Sequence, residues 1–240
     1  MEIAIFFSLL LLAEVLGTVG GFGSSMLVMP LAIWFLTFEQ ALGLTAVFHV
    51  FSNGAKMILF RKGMDRRLLV QMGIPAVIGV VLGARLTVWV DGRAIGLMLG
   101  VALLLMSAFL FLLPNIRIHP TRGNALVGGS VSGFVAGLVG TGGAVRGATL
   151  AAFGLDKNVF VATSAWIDMG VDLSRSVVYW GQGYLDARTW LYLPVLAAVS
   201  LVGSYFGKQI LAQLDQSLFE RIVLGLVFIL GIVSVVVALR

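Results

Sequence analysis

The sequence contains no cysteine, and this absence is the first of several that limit what the protein can be. Without thiols the chain has no disulfide framework, no thiol nucleophile and no cysteine-ligated iron–sulfur cluster. His49 and His119 are its only histidines, which excludes a histidine-rich metal signature. No run of basic residues is long enough to indicate nucleic-acid binding. We therefore expect no metal, no other cofactor and no nucleic-acid partner.

Charged residues are also scarce, since they make up 11% of the chain while hydrophobic residues make up 60%. A soluble domain is about one quarter charged. Apolar runs of roughly 20 residues, which is enough to cross a bilayer, recur to the end of the chain with short polar loops between them. The sequence therefore predicts an all-α polytopic membrane protein whose surroundings are the lipid bilayer.

Glycine, by contrast, is abundant, and one glycine-rich stretch occurs twice. Residues 17–25 read GTVGGFGSS, and residues 137–145 read GLVGTGGAV. Glycine clusters that break hydrophobic segments at matching places in two halves indicate the binding site of a transporter, although small residues also serve tight helix packing. We predict that both glycine loops contribute to a binding site. The loop residues predicted to contribute are Gly21, Gly23, Ser24, Thr141, Gly142 and Gly143.

This duplication divides the chain into two homologous halves, each starting with a glycine-broken helical hairpin that is followed by three transmembrane helices. The first half, residues 1–116, is predicted to hold a broken pair at 3–37 (3–18 and 25–37) and helices at 41–60, 68–90 and 94–113. The second half, residues 117–240, is predicted to hold a broken pair at 123–154 (123–138 and 144–154) and helices at 158–180, 187–211 and 217–239.

The orientation of the halves depends on whether each glycine break reverses the chain. Reversal makes each half cross the membrane an odd number of times and predicts inverted repeats, whereas a mere kink predicts parallel halves. The positive-inside rule places residues 61–67, Arg117 and Arg122 in the cytoplasm in both cases. A straight helix over residues 3–36 would be about 50 Å long, against a hydrocarbon core of about 30 Å. This length favours reversal, so we expect inverted repeats.

The segment after each glycine break carries a stripe of polar residues. The first-half stripe is Thr45, His49, Asn53 and Lys56, and the second-half stripe is Ser164, Asp168, Asp172 and Arg175. Steps of four, four and three residues place each set on one face of a helix. Two such faces, one from each half, would line a shared cavity.

The charges in these stripes indicate a binding site for an anion, because charges at membrane depth cost several kcal/mol unless they are paired or hydrated. We predict that Lys56 and Arg175 bind the anion. The predicted hydrogen-bond donors beside them are Asn53, Thr45 and Ser164, and the predicted proton-coupling residues are His49, Asp168 and Asp172. In the alternative interpretation, Lys56 and Arg175 snorkel to the interface, or Asp172 neutralises Arg175 or Arg146.

Arg146 follows the second glycine loop and begins a short apolar helix. A guanidinium, backbone amides and the positive end of a helix dipole would converge there on an anion. The guanidinium fork suits the oxygens of sulfonates, phosphates and carboxylates. The alternative is an arginine that pairs with Asp168 or Asp172 to hold the halves together. Glu14 is a further mid-segment charge, either a coupling carboxylate or a helix-packing partner.

With these features the chain resembles the sulfite exporter TauE/SafE family. The resemblance is carried by the duplicated glycine loop, Pro30, the segment Gly43-Leu44-Thr45 and its partner Ala162-Thr163-Ser164. It covers essentially the whole chain and implies a multi-pass permease of the bacterial inner membrane that exports sulfite, sulfoacetate or other small anions. Arg146 and the acidic second stripe add more charge than the family's usual second half, which indicates a particular substrate or a coupling site.

The sequence therefore predicts a secondary transporter that exports a sulfur-containing anion by alternating access, and not an enzyme. It has no glycine-rich Lys-Ser/Thr loop to bind a nucleotide. Transport of another anion, a non-transporting scaffold and an intramembrane serine protease that uses Ser24 or Ser25 with His49 remain alternatives. Coupling to protons, passive flux along the membrane potential and assembly as a homodimer are all left open.

Overall fold

The fold is described by a computed structural model of the chain, which covers residues 2–21, 23–61, 63–89, 97, 100, 101, 104, 105, 108, 112, 118–185 and 187–239. These residues form helices and connecting turns, with no strand among them. The predicted helix at 94–113, apart from isolated positions, and the predicted boundary at residue 116 lie outside the described residues.

The described part of the chain forms nine helices. They are α1 Glu2–Val19, α2 Ser25–Ala32, α3 Phe38–Leu59, α4 Arg66–Leu86, α5 Arg122–Val139, α6 Gly143–Ala152, α7 Lys157–Gly181, α8 Ala187–Gln213 and α9 Gln216–Ala238. Four of these helices (α3, α4, α8 and α9) contain stretches that are long and apolar enough to cross a membrane. The all-helical, multi-pass membrane architecture agrees with the prediction.

Polar caps determine where several helices begin, and they explain the predicted bounds that were wrong. Thr37 and Gln40 form a capping box, with side-chain to backbone distances of 3.3 and 3.2 Å. The box starts α3 at residue 38, not 41, and α2 has already ended at Ala32, not residue 37. Asp65 accepts backbone N–H groups of the first turn of α4, so α4 starts at residue 66, not 68. The helix ends at Leu86, not at residue 90.

The first glycine break reverses the chain. A Cβ built on Gly17 would lie 2.4 Å from the Cα of Ser24, so the start of α2 touches the end of α1. Farther from the break, the ring centroids of Phe6 and Phe35 are 5.3 Å apart. The chain therefore returns alongside α1, which agrees with the expected hairpin.

The second glycine break also reverses the chain. A Cβ on Gly128 would lie 2.5 Å from the Thr149 methyl group. Near the other end of the hairpin, the Ile118 N–H donates to the Ala152 carbonyl at 2.8 Å. Helix α6 is therefore a short helix that runs back along α5 to the level at which α5 begins.

Small residues bring helices of different halves into direct backbone contact. Helices α4 and α5 run parallel, and a Cβ on Gly133 would lie 2.0 Å from the Ala76 carbonyl oxygen. Helices α1 and α8 also run parallel, where Gly203 packs on Glu14 and Gly207 on Thr18. The sequence has two GxxxG pairs at matching places in the two halves, and all four of their glycines take part in these contacts, namely Gly79, Gly83, Gly203 and Gly207. Their role in close helix packing is the one expected from the sequence.

Helices α3 and α7 pack against each other in antiparallel directions at the centre of the molecule. Helix α8 packs against α3, and α4 packs against α7. When the two halves are aligned, helices α1 to α4 match helices α5 to α8 in order. The α4–α5 contact then corresponds to the α8–α1 contact, and the α3–α8 contact corresponds to the α7–α4 contact. Two apolar clusters flank this centre. The helices that carry the two polar stripes thus lie inside the protein, side by side.

Candidate functional site

The two polar stripes face each other across the α3–α7 contact. The Asn53 side-chain amide donates to Asp172 Oδ2 at 2.6 Å. Arg175 Nη2 lies 3.2 Å from His49 Nδ1. Because Asn53 and His49 belong to the first half while Asp172 and Arg175 belong to the second, these polar contacts join the halves.

The glycine loops meet the stripes at a small buried cavity. Its lining includes Gly23, Ser25, His49, Gly140, Gly142, Gly143, Asp168, Asp172 and Arg175. Its volume of about 10 Å³ is close to the least that holds one water molecule. The helices must therefore move apart before a sulfite-sized ion can enter, which makes this a closed arrangement.

Direct contacts tie both loops to the second-half stripe. A Cβ on Gly23 would lie 3.6 Å from Asp168 Oδ2, and Arg175 Nη1 donates to the Gly140 carbonyl at 3.2 Å. Gly21, Gly23 and Gly140 have φ angles of 77°, 89° and 78°, a region that glycine adopts without strain. The chain turns sharply at these glycines, and this brings both loop tips to the centre.

Some of the predicted site residues lie outside the lining of this cavity. Gly21 packs against the ring of Phe160, where a Cβ would lie 2.8 Å from the ring. The other predicted residues outside the lining are Arg146, Thr45, Asn53, Lys56, Ser164, Thr141 and Ser24. All seven are buried. Among them, Asn53, Ser24 and Arg146 contact residues of the lining.

Each of the three predicted anion-binding cations is paired with a buried carboxylate. The pairs are Lys56–Glu14, Arg146–Asp168 and Arg175–Asp172. Lys56 Nζ lies 2.7 Å from Glu14 Oε1, and Arg175 Nε lies 2.6 Å from Asp172 Oδ1. Pairing is how charges persist at membrane depth. An anion that enters the centre must therefore compete with these carboxylates.

Snorkelling, the sequence alternative for Lys56 and Arg175, is wrong, since each residue is only 1% exposed. The neutralisation of Arg175 by Asp172, also an alternative from the sequence, is present.

Arg146 joins two helices of the second half. Its Nε donates to Ser164 Oγ at 3.0 Å and its Nη2 contacts the Asp168 carboxylate. Arg146 lies in α6, and both partners lie in α7. The alternative pairing of Arg146 with Asp168 is therefore present, but it lies within the second half and does not itself hold the two halves together. The contact instead fixes the second glycine loop against its own stripe.

Glu14 is the central acceptor that the sequence analysis left out of the predicted site. Its Oε1 accepts hydrogen bonds from Thr18, Ser52 and Ser204 at 3.3, 2.7 and 2.8 Å, in addition to its contact with Lys56. These donors come from α1, α3 and α8. Two features of the sequence could have pointed to this role of Glu14. Thr18 lies one helical turn after it, and Ser204 directly follows Gly203 of the second GxxxG pair.

The contact of Ser24 with His49 tests the protease alternative. Ser24 Oγ lies 3.1 Å from His49 Nε2, within hydrogen-bond reach. In a catalytic triad the carboxylate orients the histidine, but here Glu14 accepts the Ser24 hydroxyl, and His49 Nδ1 lies 2.5 Å from the Thr45 carbonyl. This arrangement is a polar network that joins helices, and it lacks the order of a triad.

Comparison with known proteins places the chain among membrane transporters. The model of the family described as "Sulfite exporter TauE/SafE" matches residues 6–234 of the 240. This range includes both glycine loops, both stripes and Glu14. A search of curated proteins found no match. Members of this family are transporters and not enzymes, which agrees with the buried, closed centre described above. The chain belongs to the sulfite exporter TauE/SafE family of membrane transport proteins.

Proposed function

We propose that the protein is a secondary transporter that exports a small sulfur-containing anion, sulfite or an organosulfonate such as sulfoacetate, across the bacterial inner membrane. The observation that carries this proposal is the convergence of two glycine loops and two polar stripes on one buried centre. Family membership supports the substrate class. The buried cations support an anionic substrate, because each is now paired with a carboxylate whose place an anion can take.

In this proposal the anion takes the place of a carboxylate. Sulfite and sulfonate groups offer several oxygens to the fork of an arginine, much as a carboxylate does. Arg146 and Arg175 are the primary binding residues because Asp168 and Asp172, their present partners, line the cavity. Lys56 takes part when Glu14 releases it. The remaining predicted residues supply hydrogen bonds or loop backbone, namely Asn53, Thr45, Ser164, Thr141, Ser24, Gly21, Gly23, Gly142 and Gly143.

This exchange couples anion binding to protonation. A carboxylate that has lost its arginine to the anion would be left charged and unpaired in a dry site, so it binds a proton instead. Asp168 is the leading candidate because it borders the cavity. A dianion that leaves with one proton still carries net negative charge. Each elementary charge gains about 2.3 kcal/mol per 100 mV of a negative-inside potential, so export retains an electrical driving force.

We infer that the halves, residues 1–116 and 117–240, are inverted repeats that alternate access by rocking around the centre. Three packing features support this arrangement. The glycine breaks reverse the chain, the equivalent helices α3 and α7 are antiparallel, and the contacts between the halves occur in matching pairs. A site at the interface of two inverted repeats is the usual basis of alternating access.

Thermal stabilisation by anions tests the proposed substrate class. The purified protein is heated with sulfite, sulfoacetate, sulfate, phosphate or chloride, because a ligand of the folded state raises the melting temperature. We expect selective stabilisation by sulfite or sulfoacetate, and efflux of the same anion from proteoliposomes. Arg146→Lys should weaken both effects while keeping the charge beside Asp168. Arg85→Lys, at an exposed position of α4, is the matched control.

Stabilisation by phosphate or chloride alone would favour a transporter of another anion. If no anion stabilises the protein or leaves the vesicles, the exporter proposal is wrong.

A further inference from the structure

Glu14 is connected to the cavity by a continuous line of hydrogen bonds. Glu14 Oε2 contacts the Ser24 hydroxyl, and Ser24 Oγ lies 3.1 Å from His49 Nε2. His49 in turn lines the cavity together with Asp168. Glu14 and Ser24 are 0% exposed and His49 is 2% exposed, so bulk water does not reach these groups.

The contacts of His49 and Glu14 fix the hydrogen-bonding role of one atom in each side chain. They leave open whether the other atom donates or accepts. His49 Nδ1 lies 2.5 Å from the Thr45 carbonyl oxygen. A carbonyl oxygen only accepts, and this contact is shorter than the 3.2 Å between Nδ1 and the donor-only Arg175 Nη2. We therefore assign a proton to Nδ1, so that Arg175 makes no hydrogen bond to it. Glu14 Oε1 is occupied by four donors, one of which is the Lys56 ammonium. The remaining choice is how His49 Nε2, Glu14 Oε2 and the single hydroxyl proton of Ser24 are arranged.

Every donor and acceptor in this line has a partner only when Glu14 and His49 together hold one proton, on one residue or the other. If the proton is on His49, Nε2–H donates to Ser24 and Ser24 donates to the Glu14 carboxylate. If the proton is on Glu14, its O–H donates to Ser24 and Ser24 donates to Nε2. With no shared proton one buried acceptor has no donor, and with two the Ser24 hydroxyl has no acceptor. Unsatisfied buried groups cost free energy, so both of these states are disfavoured.

We propose that Glu14, Ser24 and His49 form a proton relay that delivers a proton from the Glu14 cluster to the anion cavity. In the forward step the Glu14 O–H bond breaks as its proton passes to Ser24 Oγ. At the same time the Ser24 proton passes to His49 Nε2. The products are a Glu14 carboxylate, an unchanged Ser24 and a His49 imidazolium. This inference deepens the proposed transport function and relies on it only for the use made of the proton.

Charged side chains beside Glu14 and His49 respond to the position of the proton. Lys56 of α3 lies against Glu14, and Arg175 of α7, itself paired with Asp172, lies 3.2 Å from His49 Nδ1. Helices α1 and α8 contribute the hydroxyls of Thr18 and Ser204, which donate to Glu14. A proton on Glu14 weakens its hold on Lys56, whereas a proton on His49 places positive charge beside Arg175. The relay therefore links the charge pairs of the two halves.

Nitrogen-15 NMR of His49 tests the relay directly. The chain has two histidines, so a His119→Gln background leaves His49 as the only labelled side chain. We expect Nε2 to be protonated in this background at neutral pH. In Glu14→Gln the amide NH₂ faces Ser24 because Oε1 must still accept from Lys56. Ser24 then donates to His49, and we expect complete loss of the Nε2 proton.

A second pair of variants keeps the Glu14–Lys56 pair intact. Ser24→Ala removes the connecting hydroxyl and should also leave Nε2 without a proton. Ser52→Ala removes another hydroxyl that contacts Glu14 but is not part of the line, so Nε2 should stay protonated. The relay is overturned if Nε2 has the same protonation with Ser24→Ala as in the parent. Thermal stabilisation of the protein by sulfite is measured in parallel. If the NMR result is as expected but sulfite does not stabilise the protein, the exporter proposal is refuted and the relay is not.

Discussion

At the scale of single residues, the carboxylates at the centre differ in how firmly they are held. Asp168 borders the cavity and is 8% exposed. Glu14 is fully buried and is contacted by hydrogen-bond donors from α1, α3 and α8 and by Ser24 at the start of α2. The more accessible carboxylate is the one that an incoming anion can displace. Glu14 is better suited to hold helices in place and, in the proposed relay, to pass a proton to Ser24.

The first prediction at this scale concerns Asp168→Asn. Asparagine keeps a hydrogen-bond acceptor for Arg146 but removes the charge that competes with the anion. We expect sulfite to bind about tenfold more tightly, a gain of about 1.4 kcal/mol. The pH dependence of its thermal stabilisation should also flatten, because no proton is needed to neutralise the displaced side chain. Unchanged affinity and an unchanged pH profile would remove Asp168 from the coupling role.

The second prediction concerns the buried Lys56–Glu14 pair. Lys56→Met leaves an uncompensated carboxylate among hydroxyl groups and should lower the free energy of unfolding by about 3–5 kcal/mol. The double variant Lys56→Met, Glu14→Gln removes both charges and should recover most of that loss. Denaturant or thermal unfolding in detergent measures both variants. If the double variant is as unstable as the single one, the charge pair does not explain the loss.

At the scale of helices, the parallel contact between α4 and α5 depends on residues without side chains. Gly129, Gly133 and Gly137 of α5 lie directly on the backbone of α4, at Met72, Ala76 and Val80 respectively. Such contact holds the first helix of one half to the fourth helix of the other. Helices α1 and α8 make the matching contact, so each half packs against the other through the same two helices.

This contact predicts the effect of one methyl group. Gly133→Ala places a Cβ 2.0 Å from the Ala76 carbonyl oxygen. The helices must separate to accommodate it, which should cost about 1–3 kcal/mol. Gly123→Ala is the control in the same helix, because nothing lies within 4 Å of its Cβ. Melting temperatures of the two variants should differ clearly, and equal values would show that α4 and α5 are not in backbone contact.

At the scale of the whole molecule, α3 and α7 pack in antiparallel directions. The proposed inverted repeats therefore predict that the ends of these two helices lie on opposite sides of the membrane. Helices α4 and α5 run parallel and begin at Arg66 and Arg122. The two arginines therefore lie at the same end of the molecule. The positive-inside rule assigns that end to the cytoplasm.

The absence of cysteine makes this topology directly measurable. Arg61→Cys and Gly181→Cys each place one thiol at an exposed position near the end of α3 or α7. A membrane-impermeant thiol reagent is added to intact spheroplasts, in which the outer face of the inner membrane is accessible. Inverted repeats predict that it labels Gly181→Cys but not Arg61→Cys. Both thiols should react after the membrane is permeabilised. Labelling of both from the same side would instead indicate parallel repeats.

The sequence by itself determined the class of the protein, the helical segments and the two stripes. Low charge and long apolar runs require a membrane fold, and the four-residue steps that connect Thr45, His49 and Asn53 define one helix face whatever surrounds it. The tertiary structure decided which charges meet. Glu14 lies 42 positions from Lys56 and 190 from Ser204, and local periodicity carries no information about such distant pairs. Only the packing of α1, α3 and α8 brings those side chains together.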